Sequence, residues 1–447
     1  MTQQAPAANS PATNRRVLIG SLSGSAIEWF DFFLYATAAA IIFDKQFFPS
    51  DDPLISQMLA YLTLSLTFFI RPVGGVIFSH IGDRIGRKKT LVITLSLMGG
   101  ATVAIGLLPT YDQVGILAPL LLILCRIIQG MAIGGEWGGA LLLAFEYAPE
   151  HRRGFFGSVP QTGITIGMLL STLAFSLVSS LPDGQFEAWG WRLPFLASII
   201  LVIVGLWIRN GLADTPAFRE NQASGNVSKL PIKDTLRDHW RSVLVAVGAK
   251  VVETGPFYVF ATFVVSYATG ILDFERSTAL NAVSAGAFVS TIVILLMGRL
   301  SDRTGRQAMF LGGTILVGIF AVPFFLLLDL RMDWAIYAAV VIGLGIVWPP
   351  VTATLGTFTS EIFSTRVRYT GVTLGYQIGA AVFGGTAPLI ATWMLSEFEG
   401  AWWPIAAYLI GLAVLSLVAV SCAGPVRRKE AELMRRRGLA EAAATVG

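Results

Sequence analysis

The sequence predicts an all-α membrane protein of twelve transmembrane helices arranged as two six-helix halves. Three observations carry that reading. Of 447 residues, 54% are hydrophobic and 13% charged, about half the charged share of an ordinary soluble domain. The apolar residues gather into twelve runs, each able to cross a hydrocarbon core of about 30 Å, which takes about 20 helical residues. A polar hairpin after the second run, Ser79-His80-Ile81-Gly82-Asp83-Arg84-Ile85-Gly86-Arg87-Lys88-Lys89, returns after the eighth as Gly298-Arg299-Leu300-Ser301-Asp302-Arg303-Thr304-Gly305-Arg306, as duplication of a six-helix unit requires.

The runs fall near 17–43, 54–80, 90–109, 114–145, 154–181, 189–208, 241–270, 278–298, 308–328, 334–358, 368–395 and 402–423. A long polar stretch divides them six and six, giving an arm 1–16, a first half 17–208, a linker 209–241, a second half 242–423 and a basic tail 424–447. Met1 to Asn14 are polar and rich in Ala and Pro, with no apolar core of the signal-peptide kind, so the first helix is expected to act as its own insertion signal. With the termini and even-numbered hairpins on one side, that side collects 25 of the 32 Lys and Arg. The other holds Lys45, Arg192, Arg276 and Arg331 among acids such as Asp44, Asp112, Glu187 and Asp329. Basic loops stay inside, so both termini and the linker are expected in the cytoplasm. The net charge of +4 is therefore a topology signal and not a nucleic-acid surface, and the clusters from Arg427 to Arg437 suit anionic lipid headgroups.

Each hairpin combines a carboxylate, cations and a glycine able to turn: Asp83, Arg84, Gly86 and Arg87 in the first, Asp302, Arg303, Gly305 and Arg306 in the second. Both are too polar for hydrocarbon and read as cytoplasmic hinges. The repeat continues in Glu146 and Glu361, Arg153 and Arg368, and Gln161 and Gln377, whose offset is constant to within one residue. The two acids end their helices and the two arginines open the next, so each acid can meet its arginine or a positive helix N-terminus. They read as latches of a cytoplasmic gate.

Charge within the spans marks the candidate site, because a charge at the bilayer centre costs at least about 2.5–3.5 kcal/mol. In the first helix Glu28, Asp31 and Tyr35 share a face, and a rise of about 1.5 Å per residue puts the acids roughly 16–21 Å deep. Two carboxylates in one cavity can hold a proton and release it when the cavity opens, or serve as a structural pair for Arg126 or backbone donors. Arg126 and Gln129 lie at similar depth in the fourth helix, where the guanidinium offers a planar fork to a carboxylate. Arg71, in the inner half of the second helix, suits an ion pair or snorkelling as well as solute contact. In the seventh, Lys250 and Glu253 precede a Gly255-Pro256 break; they can neutralise each other, or form a second anchor with Tyr258, Trp348 and Gln377.

The doubled Asp-Arg-x-Gly-Arg hairpin resembles the signature loop of the major facilitator superfamily, whose halves are parallel repeats. Several further stretches narrow the likeness to the metabolite:H+ symporter family. They are Glu28-Trp29-Phe30-Asp31-Phe32, Arg71-Pro72-Val73-Gly74-Gly75, the helix from Arg126 to Glu136, and Asp214-Thr215-Pro216-Ala217-Phe218. Ser79 departs from the family's usual glycine. The resemblance implies a bacterial inner-membrane carrier of shikimate, 2-oxoglutarate, citrate, or proline and betaine, working by alternating access. Proton coupling would then rest on Asp31 and Glu28, and solute contact on Arg126, Gln129, Tyr35, Gln161, Lys250, Glu253, Tyr258, Trp348 and Gln377. The two cations favour a small organic acid, a zwitterion such as proline or betaine being the alternative and an uncoupled uniporter another. A monomer with no cofactor is expected. Nothing suggests an enzyme or a pump: there is no Gly-x-x-x-x-Gly-Lys-[Ser/Thr] and no Gly-x-Ser-x-Gly elbow. His80, His151 and His239 lie at predicted edges, which argues against a metal site, and Cys125 and Cys422 both sit in apolar runs, which argues against a disulfide.

Overall fold

The computed structural model describes residues 11–85, 87–134, 148–210, 231–363, 368–426, 428–429 and 432. It contains twelve long helices. In the first half these are α1 (Pro11–Ile41), α2 (Pro53–Ile85), α3 (Arg87–Leu107), α4 (Leu117–Gly134), α5 (Arg153–Ser179) and α6 (Arg192–Asn210). In the second, α7 runs as Trp240–Tyr258, a π turn Val259–Phe263 and Val264–Gly270. Next come α8 (Arg276–Thr304) and α9 (Arg306–Leu328). The tenth, α10, joins Asp333–Ile342 to Pro349–Ile362 through a π turn Gly343–Val347. The eleventh, α11, joins Arg368–Gly379 to Ala387–Glu397 through Ala380–Gly384, and α12 spans Trp403–Ser421.

Nine of these are long and apolar enough to cross a membrane unaided, and α6 joins them with its lead-in Asp183–Gly190, bent by 45°. The other two depart for visible reasons. The first carries Glu28 and Asp31, and the third is apolar only over Val92–Leu107.

Packing repeats between the halves. The pairs α1 with α5, α2 with α4 and α3 with α6 are echoed by α7 with α11, α8 with α10 and α9 with α12. Between the halves α5 lies along α8 and α10, α2 along α11, and α1 against α7. Residues such as Leu120, Leu124, Ile200, Ile203, Phe288, Ile319 and Val418 remain exposed, as lipid-facing side chains do where the solvent is itself apolar.

Helix ends and proline breaks are satisfied from neighbours. Arg192 at the head of α6 donates to the carbonyls of Gly106 (3.0 Å) and Leu108 (2.5 Å), meeting acceptors that the end of α3 leaves without an intrahelical partner. The expected Gly-Pro break in α7 is a distortion without a gap: Pro256 stays inside the helix and a π turn follows. Beside it the Trp348 indole N–H donates to the Glu253 carbonyl at 2.6 Å. This bond ties α10 to α7 beside the proline, whose missing N–H would have served the Val252 carbonyl.

The contact between α2 and α4 is backbone on backbone. A Cβ on Gly134 would stand 1.9 Å from the Arg71 carbonyl oxygen, and one on Gly74 2.0 Å from that of Met131. Gly134→Val is therefore expected to cost more than the ~1–3 kcal/mol of ordinary overpacking. Gly411→Ala, with open space around it, should be neutral or stabilising by up to ~1 kcal/mol. Melting of the two purified variants in one detergent checks both expectations.

Candidate functional site

The buried polar residues converge where α1, α2, α4, α7 and α11 meet. Glu28 and Asp31 on α1 are 6% and 1% exposed, and Arg71 and Arg126 2% and 0%. Both guanidiniums lie over one ring, Phe32, with Cζ at 5.1 Å (Arg71) and 5.7 Å (Arg126) from its centroid. Arg71 also stacks on Phe68 at 4.1 Å and Arg126 on Tyr35 at 3.6 Å. Cation–π contacts of this kind, roughly 2 kcal/mol or more when desolvated, offset part of the cost of burial.

Arg126 does not pair with an acid among the described residues. One of its terminal nitrogens donates to Gln129 Oε1 at 2.8 Å, while Nε and the other terminal nitrogen have no partner. Gln129 in turn donates to Thr102 Oγ1 on α3 at 2.8 Å, so both ends of its amide are engaged within the protein. Both Asp31 oxygens lack a hydrogen-bond partner. The Tyr35 hydroxyl bonds Thr63, leaving the ring as the floor under Arg126.

In the second half, Lys250 and Glu253 form a buried ion pair. Glu253 also accepts from the hydroxyls of Thr254 (2.7 Å) and Thr352 (3.2 Å), and the Lys250 ammonium lies 3.7 Å from the Tyr376 ring centroid. Mutual neutralisation is thus the state shown. Gln161 donates to the Thr352 carbonyl at 3.2 Å, bridging α5 to α10. The Tyr258 hydroxyl and both polar atoms of Gln377 have no partner. A buried polar atom left without a protein partner costs about 1–3 kcal/mol. Such atoms on Asp31, Arg126, Tyr258 and Gln377, drawn from α1, α4, α7 and α11, mark a locus built to meet something polar that is not protein.

At the end carrying the hairpins, Asp302 caps α5. Its Oδ1 accepts from the Gly154 N–H at 2.7 Å and its Oδ2 from the Phe155 N–H at 3.0 Å, a carboxylate on a positive helix N-terminus. Arg306 ties this acid (3.0 Å) to Glu361 on α10 (2.7 Å). Gly305 turns the chain at φ 91°, a conformation open mainly to glycine. Arg153 meets Glu150 at 3.8 Å. Arg303 sits in the last turn of α8. The sequence reading found these residues but not the Arg306–Glu361 pair, which joins two helices far apart in the chain. Gly86 and Glu146 lie outside the described residues, as do the side chains of Asp83, Arg84, Arg87 and Arg368.

At the opposite end α2 joins the second half through Tyr61 and Ser266 (2.9 Å) and through Ser65 and the Gly385 carbonyl. Ser176 on α5 meets Asn281 on α8 at 2.9 Å. Burial pushes the Asp44 carboxyl there above its usual range, against the pull of the Lys45 N–H and the Lys45 and Arg276 charges.

Twelve helices in two like-packed halves around a charged midline define a membrane carrier, and comparison with known proteins agrees. The Major Facilitator Superfamily model matches residues 21–384, and the chain belongs to that superfamily: it is a multi-pass membrane transporter, not an enzyme. It is 37% identical over 406 residues to the shikimate transporter of Escherichia coli, covering 90% of this chain and 92% of that one. To the proline/betaine transporter of the same organism it is 33% identical over 414 residues, covering 90% and 82%. The xylose transporter XylE from E. coli, solved partially occluded and inward-open, shares the fold at a TM-score of 0.67 with 16% identity, over 92% of this chain and 97% of that one.

Asp302→Asn removes the charge that holds α5 and Arg306. A charge-assisted hydrogen bond contributes roughly 1.5–3 kcal/mol, so this end should open more often. In a Cys422→Ser background, a cysteine at Ser158 should react several-fold faster with an impermeant thiol reagent in the Asp302→Asn protein. Equal rates would mean the cap does not hold the closure.

Proposed function

We propose that this protein is a proton-coupled symporter that brings a small organic acid into the cell by alternating access, as a monomer in the bacterial inner membrane with both termini cytoplasmic. The halves, 17–208 and 242–423, rock about the midline, while the hairpins and their latches form the cytoplasmic gate. One observation carries the reading. Among the described residues, the fully buried Arg126 holds no carboxylate, and its Nε and one terminal nitrogen face no acceptor. A planar cation kept at that cost suits a carboxylate that comes and goes.

Asp31, equally buried and without a partner, is the proton carrier in this reading, and Glu28 stands by it on the same helix. Arg71, Tyr258 and Gln377 complete the surface around the solute. Lys250 and Glu253, already neutral together, act from the second half by position and not by net charge. The relatives' names, shikimate and proline/betaine, span an acid and zwitterions. The bare guanidinium favours the acid, and three of the aromatic faces that a betaine ammonium would seek, those of Phe32, Phe68 and Tyr35, already lie under Arg71 or Arg126.

In proteoliposomes, a panel of small carboxylates, cyclic acids and betaines tested for uptake under an imposed pH difference identifies the class. With the solute found, Asp31→Asn should abolish accumulation under a proton gradient while exchange of labelled for unlabelled solute persists, since exchange need not return an unloaded carrier. If both Asp31→Asn and Glu28→Gln still accumulate solute, carboxylate coupling is wrong. Arg126→Lys should lower transport about tenfold or more, because an ammonium cannot replace a fork whose bonds contribute roughly 1.5–3 kcal/mol each.

A further inference from the structure

The Thr102 hydroxyl occupies a junction that neither charged residue reaches by itself. From Arg126 a chain of donors runs one way: Arg126 to Gln129 Oε1 at 2.8 Å, Gln129 Nε2 to Thr102 Oγ1 at 2.8 Å, and Thr102 Oγ1 to the Met98 carbonyl at 3.1 Å. The side chains are buried, at 0% exposure for Arg126, 2% for Gln129 and 0% for Thr102. Gln129 cannot reverse its amide without facing the guanidinium with its own NH2, so Arg126 fixes which atom points at Thr102. The hydroxyl also lies beside the Asp31 carboxylate. Its single proton is committed to Met98, however, and both Asp31 oxygens lack a partner.

We propose that Thr102 is the positioning residue that couples Asp31 to Arg126. It does so by rotating its hydroxyl between the Met98 carbonyl and the Asp31 carboxylate while accepting from Gln129 in either position. The reading of Asp31 as proton carrier and Arg126 as solute contact underlies this step. With Asp31 ionised, the rotated hydroxyl completes a chain of hydrogen bonds from a cation to an anion, whose members polarise and strengthen one another. Arg126 is then drawn toward α3. With Asp31 protonated, the carboxyl no longer draws the hydroxyl, which returns to the Met98 carbonyl of its own helix, as it stands in the structure. Arg126 loses the anion at the far end of its chain and is released to a solute carboxylate. The proton and the solute therefore favour the same state, as symport requires.

Other charge near Asp31 does not supply a simpler link. The helices packed against α1 are α2, α3, α5, α6 and α7. Among the described residues, α3, α5 and α6 carry charge only near their ends. From the rest come Arg71 on α2 and, on α7, Tyr258 and the mutually paired Lys250 and Glu253, with Glu28 and Tyr35 on α1 itself and Arg126 beyond Thr102 on α4. None of these hydrogen-bonds Asp31.

The test compares Thr102→Val, which keeps the shape and removes the hydroxyl, with Thr102→Ser, which keeps the hydroxyl. The readouts are the solute affinity in exchange at acidic and at alkaline pH, and protons taken up per solute. In the unaltered protein affinity should fall as pH rises. In Thr102→Val the ratio between the two pH values should collapse by roughly tenfold, the worth of one charge-assisted hydrogen bond, with exchange at acidic pH retained; Thr102→Ser should restore it. Thr102→Ala gives the same comparison if valine is not accommodated. A Thr102→Val or Thr102→Ala protein with an unchanged affinity ratio, or a Thr102→Ser protein as decoupled as Thr102→Val, overturns the proposal. Asp31→Asn separates the two levels. If it still accumulates solute, the carrier reading is at fault; if it is decoupled while Thr102→Val keeps its pH ratio, only the relay is.

Discussion

Everything around the midline of this protein follows from the cost of keeping a guanidinium in the middle of a membrane. Arg126 cannot shed its proton there, and no acid among the described residues neutralises it by contact. The surrounding helices compensate in pieces: the Tyr35 ring beneath, the more distant face of Phe32, and one amide oxygen from its own helix. Each contribution is smaller than a buried ion pair. The sum holds the charge in place without satisfying it. Lys250 shows the other solution, an acid one turn away and hydroxyls around that acid.

The hairpin end solves a related problem. If the two halves part as proposed, they need contacts that are specific but breakable, and charge on a helix terminus meets both needs. Asp302 holds two backbone N–H groups of α5 and one arginine, and the arginine carries the link on to α10. Near them Gly154 approaches the Gly298 carbonyl so closely that a Cβ would stand 2.6 Å from it. Small residues thus set the distance at which the charges act.

Much of this was legible in the sequence, for reasons of scale. A span needs some twenty apolar residues, so twelve helices can be counted without knowing how they pack. An ionisable residue within a span is expensive enough to be conspicuous, which singled out Glu28, Asp31, Arg126, Lys250 and Glu253. Other features lay below that resolution. Thr102 is one hydroxyl in an apolar helix, chemically indistinguishable in sequence from Thr94, and only the fold brings it to Gln129. The direction of Gln129, engaged at both ends, was equally hidden. The expectation of an acid beside Arg126 came from depth alone, and depth does not say which way a side chain turns around its helix.

Among the described residues, the long helices with a π turn inside them are α7, α10 and α11, all in the second half. Such a turn widens the helix by one residue and weakens its resistance to bending. Among the described residues the second half is therefore jointed within its spans, while the first carries its π turn ahead of α6, at Phe186–Gly190. In a machine with one stiff jaw and one compliant jaw the motion is unequally shared. In the alternating-access reading proposed above, the stiffer side would keep its charges at fixed spacing and the compliant side would conform to whatever lies between them. The buried polar groups gathered on α1, α3 and α4 thus occupy the jaw with fewer joints inside its spans.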